Sequence, residues 1–417
     1  MLTSVRAVAY RVSDLQKAKQ WYRDILGKGP VFDSPVAVIF MVADAVLSLV
    51  PAVDSSPDNV QPVIAYWGVE DIEGAQRRLL DAGATAHGEI ITTALGSRAV
   101  TVADPFGNVL GLVGKPPEPG KKSLREQPSD SAVGVALFRA FATSEKREEI
   151  RGGDNLAEYF LPQHFREMLN NPAAREWIKS KAPGSYEYFL ARTAYFDGVV
   201  REALQANLPQ IVFLGAGYDS RPYRFRDLIR DTQIFEVDIQ STQQRKRHLI
   251  EQAGIPMPAN LTFVAVDFSL DSLQDVLPGA GFDKTRKTLF VWEGVTYYLT
   301  SEAVDATLEF VRRDSPAGSD LCFDYMADAP DMSGRYGVAE SQALMNSTYH
   351  AEPIQFRIEE GAIESFLSQR GYSVGEHFTD KDLEKRYLSL RDGSSGGRVL
   401  ACFRLVRASV NSESPVS

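Results

Sequence analysis

Three acids stand where apolar runs stop. Ile234–Ile239 reads IFEVDI, Val264–Ser269 reads VAVDFS and Val291–Leu299 reads VWEGVTYYL. Each run suits a buried strand, and each ends near a carboxylate: Asp238, Asp267 or Glu293. Ahead of them, the apolar stretch of IVFLGAGYDSRPYRF (Ile211–Phe225) ends at Gly215-Ala216-Gly217. Open α/β sheets bind ligands outside the carboxyl ends of their strands. Glycine there lets the backbone come close to a ligand. An acid about twenty residues on can accept from both ribose hydroxyls, a role that falls to Asp238. Glu236 lies on the same strand face two residues earlier. Asp267 can accept from an adenine amino group while the next backbone N–H, that of Phe268, donates to a ring nitrogen. The turn is GxG without a third glycine, and GxxxxGK[ST] does not occur, so neither the full dinucleotide fingerprint nor a P-loop is present. Alone, the glycine pair fits a tight strand–helix turn equally well. Acids at the ends of successive strands make the set informative.

The elements that must position these residues follow from periodicity. Near-continuous apolar strands are expected at Gln210–Leu214, Gln233–Asp238, Leu261–Val266, Leu289–Trp292 and Asp320–Tyr325, separated by helical stretches. That alternation indicates a mostly parallel, doubly wound α/β sheet. Late strands at Tyr372–His377 and Val399–Val406 suit an antiparallel hairpin at one edge. Helical spacing is expected at Phe138–Phe141, Leu156–Phe160, Phe165–Leu169 and Tyr186–Leu204. A Pro-, Gly- and Ser-rich stretch over 116–131 has linker composition. It divides residues 1–115 from 132–407, and 408–417 reads as a flexible tail.

The order ARTAYFD (Ala191–Asp197), FLGAGYDSRPYRF, FEVD, VDF, WEGVTYYL resembles the class I S-adenosylmethionine-dependent methyltransferases, specifically the leucine carboxyl methyltransferase-like family, over roughly 131–406. The resemblance implies a Rossmann-like sheet with S-adenosyl-L-methionine as cofactor. It places Arg192 on the cofactor's methionine carboxylate, Gly215 and Gly217 along its methionine end, Asp238 on the ribose, and Asp267 and Phe268 at adenine. Glu293 falls near the cofactor's amino group, and Tyr298 is the catalytic position beside the substrate. Without that resemblance Arg192 would read as a helix-surface salt bridge. In the irregular stretch after the fifth strand, His350 reads as a surface histidine or a candidate base, and Arg335, Tyr336 and Tyr349 could meet an anionic or aromatic acceptor or simply pack as a lid.

Residues 1–115 read as two βαβββ modules, a small α+β architecture. Val5–Val12 and Val63–Val69 open them, each followed by a helix. Asp14 or Ser13 would cap the first helix and Gly27 end it. The motifs SDLQKAKQWYRDILG and DPFGNVLGL resemble the vicinal-oxygen-chelate superfamily, which includes glyoxalase I, bleomycin-resistance proteins and extradiol dioxygenases. Where metal-using members carry ligands, this sequence has Ala7, Val63 and Gly111, so no metal site is expected; catalytic centres need about three protein ligands. A binding cleft, a dimerisation module through which the chain forms a homodimer, and a packing partner all remain open for this segment.

Composition bounds the rest. The 417 residues carry 45 Lys+Arg against 55 Asp+Glu, a net charge of −10. Nucleic-acid binders usually carry a basic face, so none is expected as partner. Cys322 and Cys402 are the only cysteines, which excludes disulfide frameworks and CxxC sites and suits a reducing cytoplasm. The five histidines never form HExxH. No stretch is long and uncharged enough for a membrane span. The reading is a methyltransferase of a small-molecule acceptor. A carboxylate on a polyketide-like metabolite suits an enzyme without an evident general base, because it is already a nucleophile at pH 7. The alternatives are methylation of a protein C-terminal carboxyl, or ligand sequestration with a degenerate methyltransferase half.

Overall fold

The structure, a computed structural model, describes residues 4–12, 14–42, 45–51, 64–69, 71–81, 83–92, 97–103, 109–114, 129–268, 271–348 and 353–412. The chain forms two compact units: residues 1–121 with 162–178, and residues 122–161 with 179–417.

In the first unit, β1 (Ser4–Val12), α1 (Leu15–Leu26), β2 (Phe32–Asp33), β3 (Val38–Val42) and β4 (Ala45–Pro51) are followed by β5 (Ile64–Val69), α2 (Ile72–Asp81), β6 (Thr85–Ala86), β7 (Ile91–Thr92), β8 (Arg98–Ala103) and β9 (Val109–Gly114). One sheet runs β2-β3-β4-β1-β5-β9-β8-β6, with β7 on β8. The antiparallel β1–β5 pair joins its halves. Asp14 caps α1, accepting from Gln16 N at 3.1 Å and Lys17 N at 3.0 Å, and Gly27 ends it with φ of 64°. α1 packs its apolar stripe, Leu15, Ala18 and Tyr22, on Val38, Phe40 and Leu49.

Two helices from later in the sequence complete this unit. α4 (Gln163–Leu169) and the start of α5 (Pro172–Lys181) bring Phe165, Met168, Trp177 and Ile178 against Val31, Phe32 and Ile39. Periodicity marks such residues as one buried face but not whose core they enter; the sequence reading counted them with the second segment.

The second unit contains α3 (Asp130–Thr143), α6 (Ser185–Gln205), β10 (Gln210–Leu214), α7 (Arg221–Arg224), β11 (Gln233–Asp238), α8 (Gln240–Gln252), β12 (Leu261–Ala265), β13 (Thr288–Trp292), β14 (Asp320–Asp328), β15 (Ile358–Glu359), β16 (Tyr372–Phe378) and β17 (Phe403–Val410). Its sheet runs β12-β11-β10-β13-β14-β17-β16, with β15 on β14. The first five strands of that order are parallel. β17 lies antiparallel to both β14 and β16. All five residues of β10 and all five of β13 are buried, as central strands covered on both faces must be. The order reverses between β10 and β13, so both strands point their carboxyl ends into the crevice where such sheets hold ligands.

Several boundaries differ from the sequence reading. Leu156–Phe160 forms only a 3-10 turn over Ala157–Phe160. The last strand starts at Phe403 rather than Val399, because the preceding backbone bonds elsewhere: Val399 N to Glu384, Leu400 N to Gly184 O and Ala401 N to Tyr336 O. Ala408–Val410, read as tail, belong to β17, with Ala408 fully buried and Val410 paired to Tyr372. Of the linker, 116–128 lies outside the described residues; Ser129 caps α3 by accepting from Ala132 N, and Asp130 and Ser131 are helical. Among the described residues no helix is long and apolar enough to cross a membrane.

Candidate active site

A cavity of about 410 Å³ opens at the carboxyl ends of β10, β11 and β13. Its wall includes Arg192, Gly215, Gly217, Asp238, Asp267, Phe268, Glu293 and Tyr298 together. Those are the eight residues singled out from the sequence.

The glycine turn is built by backbone geometry. Gly215 and Gly217 have φ of 69° and 44°, in the left-handed region that disfavours side chains. A Cβ on Gly215 would overlap Val295. Gly215 N and Ala216 N both donate to Val237 O, at 2.8 and 2.9 Å, folding the turn over the end of β11. Asp238 then ties the two strand ends together. Its carboxylate accepts from Gly217 N at 2.5 Å and Ile239 N at 2.7 Å. Glu236, two residues earlier, is not on the wall. It is fully buried with Lys246 Nζ at 2.7 Å, and burial pushes its carboxyl up to about 7 against the pull of that ammonium.

A denser charge network lies at the end of β13. Arg192 projects from the buried α6 and is 1% exposed. Its Nη1 donates to Asp324 Oδ2 at 2.9 Å and to the Tyr297 hydroxyl at 3.4 Å. Its Nε lies 2.9 Å from Glu293 Oε1, though the N–H is not aimed at that oxygen. Burial opposes the Arg192 charge, but Glu293 and Asp324 outweigh it and hold the guanidinium well above its ordinary pKa. Among the described residues Nη2 makes no hydrogen bond, and the side chain borders the cavity. Glu293 Oε2 accepts from Arg221 Nη1 at 2.6 Å.

Asp324 and Arg221 were not marked from the sequence. Asp324 sits inside β14, fully buried, accepting from Tyr188 Oη at 2.6 Å, Arg192 Nη1 and, through its other oxygen, Gly294 N at 2.6 Å. Gly294 has φ of 77°, and a Cβ there would stand 3.3 Å from Arg192 Nη1. Asp219, also on the wall, is pressed upward by burial, yet Arg221, Arg139 and Lys246 bring its carboxyl below the usual range. The signal that could have found Asp324 is an acid inside an apolar strand, costly to bury unless paired.

Much of the remaining wall is apolar or aromatic, with Arg139, Ser185 and Gln355 among its polar members. It includes Phe138, Phe189, Leu344, Met345, Leu400 and Phe403. Tyr298 borders it, and its carbonyl accepts from Gln355 Nε2 at 2.7 Å. Arg335 does not reach the wall. It is committed to Asp331 and Glu360, the latter at 2.7 and 2.8 Å. Tyr336 lies under Arg398 instead, 4.1 Å from guanidinium to ring centre. Tyr349 and His350 lie outside the described residues. No histidine is on the described wall.

In the first unit, Ala7 and Gly111 stand in register with Tyr66 on the strand between them. The Tyr66 ring covers Gly111 so closely that a Cβ would come within 2.6 Å of it. Val63 lies outside the described residues, and His87 sits beside Thr101 with Nδ1 3.5 Å from the hydroxyl.

The parallel sheet, with a glycine turn and acids converging at its strand ends, defines an α/β protein of the nucleotide-binding type. Comparison narrows this. Residues 132–312 match the leucine carboxyl methyltransferase family model, and residues 4–112 match that of the Glyoxalase/Bleomycin resistance protein/Dioxygenase superfamily. A provisionally named S-adenosyl-L-methionine-dependent methyltransferase of Bacillus subtilis is 31% identical over 202 residues, 48% of this chain and 66% of the relative. One from Rhodococcus jostii is 32% identical over 206 residues, 48% of this chain and 67% of the relative. A Thermobifida fusca structure described as a methyltransferase aligns with a TM-score of 0.44 and 16% identity, covering 71% of this chain and 99% of that one. The chain belongs to the leucine carboxyl methyltransferase family, and it spans about two thirds of the length of these curated relatives.

Proposed function

We propose that the cavity binds S-adenosyl-L-methionine and that the protein transfers its methyl group to an oxygen of a small-molecule acceptor, with a carboxylate on a polyketide-like metabolite as the preferred class. The observation that carries this is the convergence of eight residues, from α6 to Tyr298, on one cavity wall in a chain of this family.

The residues fit the cofactor. A Cβ at Gly215 would collide with Val295, so the turn keeps bare backbone on the cavity wall. Asp238, fixed by two backbone N–H groups, offers lone pairs to ribose hydroxyls. Asp267 and Phe268 stand at the next strand end for adenine. Arg192 offers Nη2, which bonds to none of the described residues, to a carboxylate, and Glu293 supplies charge for an ammonium. When bound, the cofactor supplies an electrophilic methyl on a sulfonium. The protein's part is alignment at about 3–3.5 Å and exclusion of water. Phe138, Phe189, Leu344, Met345 and Phe403 do the excluding, and Tyr298 orients the acceptor. A carboxylate oxygen arrives already deprotonated and needs no general base, and among the described residues of the wall there is no histidine. The presence of Arg192, Glu293, Asp238 and Asp267 on one wall argues against a degenerate site. The first unit's role is to recruit substrate or to dimerise.

Calorimetric titration with S-adenosyl-L-methionine tests the reading: absence of binding to the wild-type chain sinks it. A screen with methyl-labelled cofactor of small-molecule extract against the protein fraction then identifies the acceptor class; label appearing only on protein C-termini would overturn the small-molecule assignment.

A further inference from the structure

Arg221 does not line the cavity, yet it grips two residues that do. Its side chain is fully buried. Nη1 donates to Asp219 Oδ2 and to Glu293 Oε2, each at 2.6 Å, and Nε donates to Asp197 Oδ1 at 2.7 Å. The backbone N–H of Arg221 fixes the other Asp219 oxygen at 2.8 Å. Asp197 is held from its far side by Arg224, with Nη1 and Nη2 both at 2.7 Å. The Arg221 fork is therefore anchored behind, and its forward nitrogen points at the wall.

Glu293 depends on that nitrogen. Arg192 is near its other oxygen but does not aim an N–H at it. Among the described residues, the Arg221 bond is the one well-directed hydrogen bond that Glu293 receives. We propose that Arg221 is the positioning residue for Glu293, holding its carboxylate in the orientation that presents charge to the amino group of the cofactor. The inference rests on the cofactor reading above. A planar fork suits the task; a lysine ammonium can replace the charge but not the simultaneous reach to three carboxylates.

Removing Arg221 also changes the charge count around Glu293. The groups facing this cluster are Arg192 and Asp197 from α6, Asp219 and Arg224 from the glycine turn and α7, and Asp324 from β14 through Arg192. Arg139 of α3 and Lys246 of α8 act on Asp219. Asp154 pairs with Arg139 and Arg224, so without Arg221 five acids (Glu293, Asp197, Asp219, Asp324 and Asp154) face four cations (Arg192, Arg224, Arg139 and Lys246), and Asp219 and Asp197, whose carboxyls Arg221 helps to hold low, take up a proton more readily.

A double-mutant cycle tests this, with S-adenosyl-L-methionine as the titrant. Arg221→Met and Glu293→Gln are each expected to weaken binding about tenfold or more, and the double variant to bind no worse than the weaker single one, because both remove the same contact. The Arg221→Met deficit is expected to shrink as pH rises from 6 to 9, while the Glu293→Gln deficit stays constant. Losses that multiply in the double variant, or an Arg221→Met deficit indifferent to pH, overturn the proposal. Should Arg221→Met fail to unfold cooperatively, Arg221→Lys takes its place, with a loss of about threefold that vanishes in the Glu293→Gln background. Wild-type protein that binds no cofactor sinks the functional reading; wild-type binding with multiplying losses sinks only the role of Arg221.

Discussion

The two units place very different side chains on their central strands. In the second, the ends of β10, β11 and β13 carry a left-handed glycine turn, Asp238 and Glu293 around a cavity. In the first, the adjacent central strands β1, β5 and β9 set Ala7, Tyr66 and Gly111 side by side, with an aromatic ring lying on a glycine backbone. Both are sheets flanked by helices with buried apolar faces. Chemistry resides in the side chains a fold positions, not in the fold. The second unit stabilises closely spaced charges by mutual pairing, while the first packs an aromatic ring on its sheet.

The largest expected effect breaks the catalytic side of this contrast. Asp238→Ala removes the group that joins Gly217 N and Ile239 N and that faces the ribose in our reading. Cofactor affinity should fall at least about 100-fold, near 2.7 kcal/mol. Calorimetry reads this directly, and binding within threefold of wild type would remove Asp238 from the site.

Next comes the packing side. Met168 is 4% exposed and lies against Val31, Phe32 and Ile39. Met168→Ala should cost about 2–4 kcal/mol. Thermal unfolding followed by hydrogen exchange should localise the loss to the first unit's amides. Cofactor affinity should hold, so a parallel drop in binding would show that the units are not energetically separate. Gly111→Glu, which supplies a potential ligand, is expected to overpack Tyr66 and destabilise by about 1–3 kcal/mol. It should bind no stoichiometric metal, since one added carboxylate does not make a site of about three ligands. Zinc, iron or nickel titration checks this, and a stoichiometric metal in the unmodified chain would overturn the packing interpretation.

How much of this was legible in sequence differs along the chain for physical reasons. β10, β11 and the cavity acids could be read directly, because a fully buried parallel strand is a continuous apolar run and the first polar residue after it lands in the crevice. Asp324 escaped because it lies within its strand. Its partners Tyr188 and Arg192 are more than 130 positions away, and only the meeting of α6 with β14 makes the aspartate tolerable. Arg221 escaped for a related reason, since its three acids come from α6, the glycine turn and the end of β13. α4 showed its helix but not its destination. Ala408–Val410 resembled a fraying end because its partners, Asp320–Leu321 and Tyr372–Val374, are remote in sequence.

The smallest predicted effect comes from behind the cavity and separates structural charge from site charge. Glu236 shares β11 with Asp238 but faces Lys246 rather than the cavity. Burial raises its carboxyl from the ordinary 4.5 to about 7, so the folded chain holds a proton that the unfolded chain has released in that interval. Stability from this group is therefore present below about pH 4.5 and declines as pH rises toward 7, by an amount on the order of 1 kcal/mol per pH unit at most. Glu236→Gln should flatten that part of the pH profile of chemical unfolding. Cofactor affinity, by contrast, should change less than in Asp238→Ala, because the lost carboxylate lies off the wall. A Glu236→Gln variant that keeps the full wild-type slope between pH 5 and 7 would assign the proton to another group. One that loses binding as severely as Asp238→Ala would show that the buried pair sets the position of the strand end, and that charge behind the sheet is part of the site.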